Sequence, residues 1–111
     1  MSVVLFVRAK SDLDEKELEG RLLERRPRFR EVPGLVQKIY GREEATGAVC
    51  GIYFFETRAA LAAFRETELA QTIASAYEVT EIRLEVYDVL YPLHPERGPF
   101  AQRSGTEAVS S

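Results

Sequence analysis

Four side chains in this sequence could hold or move a proton beside a bound molecule. Tyr40 and Tyr53 are phenols, and a phenol can donate a hydrogen bond to a developing oxyanion. Lys38 precedes Tyr40 closely, and its charge would lower the pKa of a neighbouring phenol. His94 is the only histidine and is a candidate general base, because imidazole titrates near neutral pH. The structural alternatives are a core phenol, a strand-edge charge in water and a solvated tail imidazole.

A second polar set lies near the end of the sequence. Arg83, Glu85 and Tyr87 recur at every second position, so they share one face if this segment is a strand. They would then line a cavity or pair across a dimer seam. Gly51, in the middle of an apolar segment, indicates close backbone approach or room for a ligand.

Composition excludes several functional classes. The chain has 111 residues, 15 basic and 18 acidic side chains and a net charge of -3, which argues against a protein that binds nucleic acid by neutralising phosphates. With one histidine and one cysteine, Cys50, a metal site is not expected, and no cofactor motif is present. No apolar run is long enough to span a bilayer and no export signal is evident, so we expect no membrane partner and a cytoplasmic location.

The segment that should position these side chains is a central hairpin. Pro33-Gly34 predicts a turn, Leu35–Arg42 a strand, residues 43–47 a polar loop and Val49–Phe55 a second strand. In the first of these strands the alternation groups Leu35 with Gln37, Ile39 and Gly41 on one face, with Lys38 and Tyr40 on the other. The second strand is apolar throughout, which is typical of a strand covered on both faces.

The other elements follow from hydrophobic periodicity and capping signals. The predicted elements are a strand over 3–8, a helix from Asp12 to about Arg26 ended by Pro27, a helix from Arg58 to about Leu69 with Thr57 as its N-cap, a short further turn over 71–76, and a strand over 81–90. Arg25, Arg26, Arg28 and Arg30 form a basic cluster at the end of the first helix. This cluster is either a solvated helix end or an anion-attracting rim.

The order strand, helix, strand, strand, helix, strand predicts an α+β, ferredoxin-like fold with a four-stranded antiparallel sheet and two helices on one face. Residues 1–93 would form this domain, and 94–111 a flexible tail or dimer arm. The open face should carry Tyr53 and Phe55, or their neighbours Ile52 and Phe54. Because such an apolar face is rarely left in water, we expect a homodimer with the two sheets closing into a barrel around a cavity.

Two stretches carry a family resemblance: PGLVQKIYGREEATGAVCGIYFFETRAALAAF and VYDVLYPL. With them the chain resembles the mono-oxygenase subfamily of the dimeric α+β barrel superfamily, the antibiotic-biosynthesis-monooxygenase-like proteins. The resemblance implies a cofactor-independent mono-oxygenase that acts on a small aromatic substrate, quinol-like or anthrone-like, in an apolar cavity. It also implies that Gly51, Tyr53 and Phe55 face that cavity.

The sequence departs from the family pattern at three positions. Phe55, Gly51 and Phe64 stand where related oxygenases often carry tryptophan, asparagine and histidine. The resulting hypothesis assigns catalytic roles to Tyr53, Tyr40 and His94, and substrate contacts to Lys38, Gly51, Phe55, Phe64, Arg83 and Tyr87. Two alternatives stay open: a non-catalytic binder of a small hydrophobic metabolite, and a structural module that uses its open sheet face for assembly.

Overall fold

A computed structural model describes residues 2–100 of the chain. Its elements are β1 (Val3–Ser11), α1 (Glu15–Arg30), β2 (Leu35–Arg42), β3 (Val49–Phe55), α2 (Arg58–Arg65), α3 (Glu68–Gln71), α4 (Ile73–Ala76) and β4 (Val79–Asp88). The strands form one four-stranded sheet in the order β2-β3-β1-β4, and every pairing is antiparallel. The predicted ferredoxin-like α+β fold is confirmed.

The central hairpin has the predicted bounds, but the faces of β2 differ from the prediction at one end. Leu35 pairs with Phe55 and Gln37 with Phe54, so the register shifts by one residue at Val36. Such a bulge moves the following side chains to the opposite face. The grouping of Leu35 with Gln37 is therefore wrong: Leu35 lies on the helix side, together with Lys38 and Tyr40.

The first helix begins and ends later than predicted, at Glu15 and Arg30 instead of at Asp12 and about Arg26. It begins after Asp14, whose carboxylate accepts a hydrogen bond from the Glu17 amide at 2.8 Å, and it contains Pro27. Proline in a last turn removes only one helical hydrogen bond, and Phe29, which is 3% exposed, buries its ring beyond it. The predicted end at Arg26 is wrong, because the burial of Phe29 stabilises the last turn by more than Pro27 destabilises it.

The second helical segment is broken into three short helices. Thr57 is the N-cap of α2, as predicted, and accepts a hydrogen bond from the Ala60 amide at 3.0 Å. The predicted continuation to Leu69 is wrong, because α2 ends at Arg65 and Thr67 caps α3 through the Ala70 amide. Thr side chains that accept hydrogen bonds from nearby backbone amides start new helical turns in this way.

The helices cover one face of the sheet and leave the other face open. Val3, Leu5 and Val7 of β1 are buried under the helices, together with Tyr53 and Phe55 of β3. The open face carries Ile52 and Phe54, the second of the two predicted alternatives. Tyr53 and Phe55 consequently cannot line a space between two sheets, because their side chains are on the helix side.

The last strand alternates as predicted but begins and ends two residues earlier, at Val79 and Asp88. Arg83, Glu85 and Tyr87 pair with the open-face residues of β1, and Ile82, Leu84 and Val86 lie on the helix side. In residues 2–100, none of the helices is both long enough and apolar enough to cross a membrane.

Candidate active site

The side chain of Lys38 lies in an aromatic enclosure on the helix side of the sheet. Its Nζ is 3.4 Å from the ring centroid of Phe29, 4.4 Å from that of Tyr40 and 4.5 Å from that of Tyr53. Two of these rings come from neighbouring strands and one from the last turn of α1. The Lys38 amine is thus held between the edge of the sheet and the first helix.

This enclosure changes the protonation of the lysine. Burial lowers the pKa of Lys38 from 10.5 to about 7, with a smaller lowering from the nearby charge of Arg25. The surrounding ring faces favour the ammonium by about 0.5–2 kcal/mol. Desolvation is the larger effect, because a drop from 10.5 to about 7 corresponds to about 5 kcal/mol. A substantial fraction of Lys38 is therefore neutral at physiological pH and able to accept a proton.

Three phenols surround the same space, and all of them stay protonated. Burial raises the pKa of Tyr40, of Tyr53 and of Tyr77 above the ordinary value of a phenol. The buried Oη of Tyr40 has no hydrogen-bond partner within residues 2–100. An unpaired buried hydroxyl is costly, so this group is available to a ligand or a water molecule.

Gly51 allows the amine and the phenols to come together. A Cβ at this position would lie 3.0 Å from Cε1 of Tyr53 and 3.2 Å from Cε of Lys38. Both distances are closer than carbon atoms normally pack. The glycine therefore provides the close approach expected for a mid-strand glycine, and the space above it is filled by Tyr53 and Lys38.

A cleft of about 410 Å³ opens from this enclosure toward solvent. Its walls include Arg26, Phe29 and Arg30 from α1, and Lys38 and Tyr40 from β2. Such a volume is in the range of small-molecule sites, which combine apolar walls with a few polar groups. A molecule in the cleft would contact the side chains of Lys38 and Tyr40. It would reach the buried hydroxyl of Tyr40 only when that side chain moves outward, whereas Tyr53 lies beneath both residues and is 2% exposed.

Of the residues predicted from the sequence, six lie on the helix side of the sheet. They are Lys38, Tyr40, Gly51, Tyr53, Phe55 and Phe64. Phe55 and Phe64 are in the closed core, with ring centroids 5.5 Å apart, and are not among the residues that line the cleft. They position Tyr53, whose ring centroid is 5.6 Å from that of Phe64.

The other three predicted residues are elsewhere in the fold. Arg83 and Tyr87 lie on the open face of β4, at the opposite edge of the sheet from β2. His94 follows β4, is exposed, and has its Nδ1 3.5 Å from a carboxylate oxygen of Glu96. With two strands between the edges, β4 is about 14 Å from β2. The structure does not bring these residues to the Lys38 enclosure.

Sequence reasoning missed two residues that complete the enclosure. The helix predicted from the sequence ends at about Arg26, so the sequence pattern does not place Phe29 over Lys38. The Arg25 guanidinium lies 5.4 Å from the ring centroid of Tyr77 and donates to the Leu69 carbonyl at 2.9 Å. Arg25 thereby ties α1 to α3 above the phenols. The basic cluster of the sequence was a signal for Arg25, and nothing local indicated Phe29.

Within the part of the chain that the structure describes, no group of three or more His, Cys, Asp or Glu side chains is arranged to hold a metal ion. The polar side chains among the residues that line the cleft are the amine of Lys38, the phenol of Tyr40, the carboxamide of Gln37 and two guanidinium groups. Without a carboxylate, imidazole or thiolate, these groups do not make a typical site for a divalent cation. The chemistry that we derive for the cleft is accordingly that of its own amine and hydroxyl.

The family described as "Putative mono-oxygenase ydhR" matches residues 4–95. No curated protein matches the sequence. SnoaB from Streptomyces nogalater, described as a cofactor-independent oxygenase, is similar in structure with a TM-score of 0.70 and 16% identity, over 83% of this chain and 96% of that one.

Two further solved structures have the same fold. A protein described as a putative antibiotic biosynthesis monooxygenase from Nitrosomonas europaea has a TM-score of 0.68 and 19% identity, over 82% of this chain and 92% of that one. Rv0793 from Mycobacterium tuberculosis has a TM-score of 0.69 and 15% identity, over 84% and 99% of the two chains. At these identities the similarity establishes the fold.

Proposed function

The chain belongs to the mono-oxygenase family of ydhR, and on that premise we propose that it is a cofactor-independent oxygenase of a small, acidic aromatic substrate such as a quinol or an anthrone. The observation that carries the proposal is the placement of Lys38: an amine with a pKa of about 7 at the inner end of a cleft. A base of this pKa is suited to removing a proton near neutral pH.

The reaction begins with proton transfer. Neutral Lys38 accepts a proton from the acidic position of the substrate, and the ammonium that forms stays beside the anion and stabilises it. The unpaired Oη of Tyr40 donates a hydrogen bond to the oxygen on which the negative charge collects. Tyr53 packs below the lysine and holds it in position. The ring of Phe29 limits the access of water to the amine.

The electrons for dioxygen come from the substrate. For an anthrone, the anion reduces dioxygen, and a carbon–oxygen bond forms at the former CH₂ carbon. The Lys38 ammonium returns its proton to the terminal peroxide oxygen, which gives a hydroperoxide and the neutral amine. Loss of water from the hydroperoxide leaves a ketone. One dioxygen is consumed, one oxygen atom enters the product, and the other leaves as water with the two protons of the CH₂ group.

The homodimer is part of the same proposal. The open face of the sheet presents Phe6, Ile39, Ile52 and Phe54, and Ile39 is 48% exposed. A second copy would cover these side chains. Phe100, the last described residue, packs its ring on Phe54 with centroids 5.5 Å apart, and the remainder of the predicted arm, 101–111, lies outside the described residues.

We also propose that the protein is located in the cytoplasm.

Oxygen uptake with a panel of anthrones and hydroquinones tests the function. We expect uptake above the protein-free rate, rising with pH around 7 as Lys38 loses its proton. Lys38→Met should lower the rate about a hundredfold or more, and Tyr40→Phe by a smaller factor. Lys16→Met, which removes an exposed lysine of α1, is the matched control and should leave the rate unchanged. Uptake equal to the protein-free rate across the whole panel would overturn the proposal.

One observation favours a second candidate, a non-catalytic binder of a small hydrophobic metabolite. The core beneath the enclosure is closed by Tyr53, Phe55 and Phe64, whose rings pack with centroids 5.5–6.3 Å apart. Only the outer cleft is then open to a ligand. Thermal stabilisation by aromatic compounds without oxygen uptake would support this candidate over the oxygenase.

A further inference from the structure

The outer part of the cleft combines positive charge with aromatic walls. Arg26 and Arg30 are four residues apart on α1, so their side chains are neighbours on one helix face. Both line the cleft whose inner end holds Lys38 and Tyr40, and Phe29 forms its wall between them. The charges of Arg26 and Arg30 also reach the hydroxyl of Tyr40, because they oppose the rise in its pKa that burial causes.

In the described part of the chain, the guanidinium groups of Arg26 and Arg30 do not hold helices together, as those of Arg25 and Arg28 do. Arg25 donates to the Leu69 carbonyl, and Arg28 pairs with Glu68 at 2.7 Å. Within residues 2–100, neither Arg26 nor Arg30 has a carboxylate at ion-pairing distance. No acidic side chain is among the described residues that line the cleft. This local excess of positive charge occurs in a chain of net charge -3.

We propose that Arg26 and Arg30 form a carboxylate subsite, so that the substrate class is an aromatic carboxylate whose ring lies in the cleft that Phe29 and Tyr40 line. The inference rests on the proposed function, because it specifies the substrate of the same cleft. Guanidinium groups match the planar, paired oxygens of a carboxylate and stack on aromatic rings. The carboxylate would be held at the mouth, and the acidic phenol would point inward to Lys38.

The subsite also explains how the orientation of the substrate is set in a cleft with few polar groups. A ring held only by apolar contacts can enter in several orientations. A charged group at one end fixes a single orientation, which brings the reacting group of the substrate to the amine. The basic cluster of the sequence therefore contains two kinds of arginine: Arg25 and Arg28 brace the helices, and Arg26 and Arg30 face the ligand.

The test compares two quinols that differ by one carboxylate, 2,5-dihydroxybenzoate and hydroquinone. Binding of each is measured by calorimetry, and oxygen uptake is measured in parallel. We expect the wild-type protein to bind the carboxylate about tenfold more tightly, the double variant Arg26→Gln/Arg30→Gln to lose this preference, and Arg28→Gln to keep it. Arg28→Gln is the positional control, because it removes a guanidinium group from the same helix turn at a residue that does not line the cleft.

Three results would overturn the inference: equal affinity for the two quinols, a preference reduced as much by Arg28→Gln as by the double variant, or full displacement of dihydroxybenzoate by an equal concentration of inorganic phosphate. Each leaves the proposed function intact if hydroquinone still supports uptake. Conversely, a carboxylate preference that depends on the two arginines, without uptake on either compound, would confirm the subsite and refute the oxygenase. Thermal unfolding of each variant shows that the protein is folded.

Discussion

The burial of Lys38 makes a specific prediction for stability. Its pKa falls from 10.5 to about 7 on folding, so between these values the unfolded chain binds more protons than the folded one. Stability must then increase with pH in this window. Below about pH 7 the folded state carries the whole cost of the buried ammonium. From pH 7 to pH 9 the gain is about 2 kcal/mol, worked from the same two pKa values.

Urea unfolding followed by circular dichroism at pH 7, 8 and 9 measures this gain. The rise in stability ends at high pH because of the buried phenols. Burial raises the pKa values of Tyr40, Tyr53 and Tyr77, so above about pH 10 the unfolded chain loses these protons first and the stability falls as the pH rises. Lys38→Met fills a similar volume without the amine. We expect it to lose the pH dependence and to be more stable than wild type at pH 7.

Lys16→Met, on the exposed face of α1, is the control for removal of one positive charge and should keep the wild-type pH dependence. If wild type and Lys38→Met show the same pH dependence, the amine reaches water in the folded state. That result would refute the enclosure as we describe it and would remove the reason for assigning a proton-accepting role to Lys38.

Three further predictions concern the elements that hold the site. Gly51→Ala should lower the free energy of unfolding by about 1–3 kcal/mol, because the new methyl group would meet Tyr53 at 3.0 Å and Lys38 at 3.2 Å, and a thermal melt with no loss would contradict this packing. Thr57→Ala should cost about 1 kcal/mol, since it removes the N-cap of α2, and Thr57→Ser should restore most of it in the same melt. Phe54→Glu should convert the proposed dimer into monomers, as measured by light scattering after size exclusion, and an unchanged mass would place the dimer interface elsewhere or show that there is none.

The sequence was sufficient for the fold because each strand has its own pattern. The hairpin bounds of β2 and β3 and the alternation of β4 followed from period-two hydrophobicity and turn residues. These signals are local, so they need no knowledge of the rest of the chain. The order of elements then left the ferredoxin-like arrangement as the simplest solution.

The placement of the site depended on information that is not local. The register between β2 and β3 places Lys38 opposite Tyr53, and the bulge at Val36 places Leu35 on the same face. Register and bulge both depend on how two strands pair. The position of Phe29 depends on the continuation of α1 through Pro27, which tertiary burial stabilises. Sequence analysis could therefore name Lys38, Tyr40 and Tyr53 as candidates, but it could not bring them together or separate them from residues on the opposite edge.

Oxygen-18 labelling tests the central claim most directly. The protein is incubated with an anthrone under ¹⁸O₂ in ordinary water, and the quinone is analysed by mass spectrometry, with Lys38→Met and a protein-free sample in parallel. The mechanism predicts protein-dependent formation of a quinone with one heavy oxygen at the newly formed carbonyl, and a strongly reduced yield with Lys38→Met. A quinone formed at the protein-free rate, or one whose new oxygen comes from water, would contradict an oxygenase at this cleft.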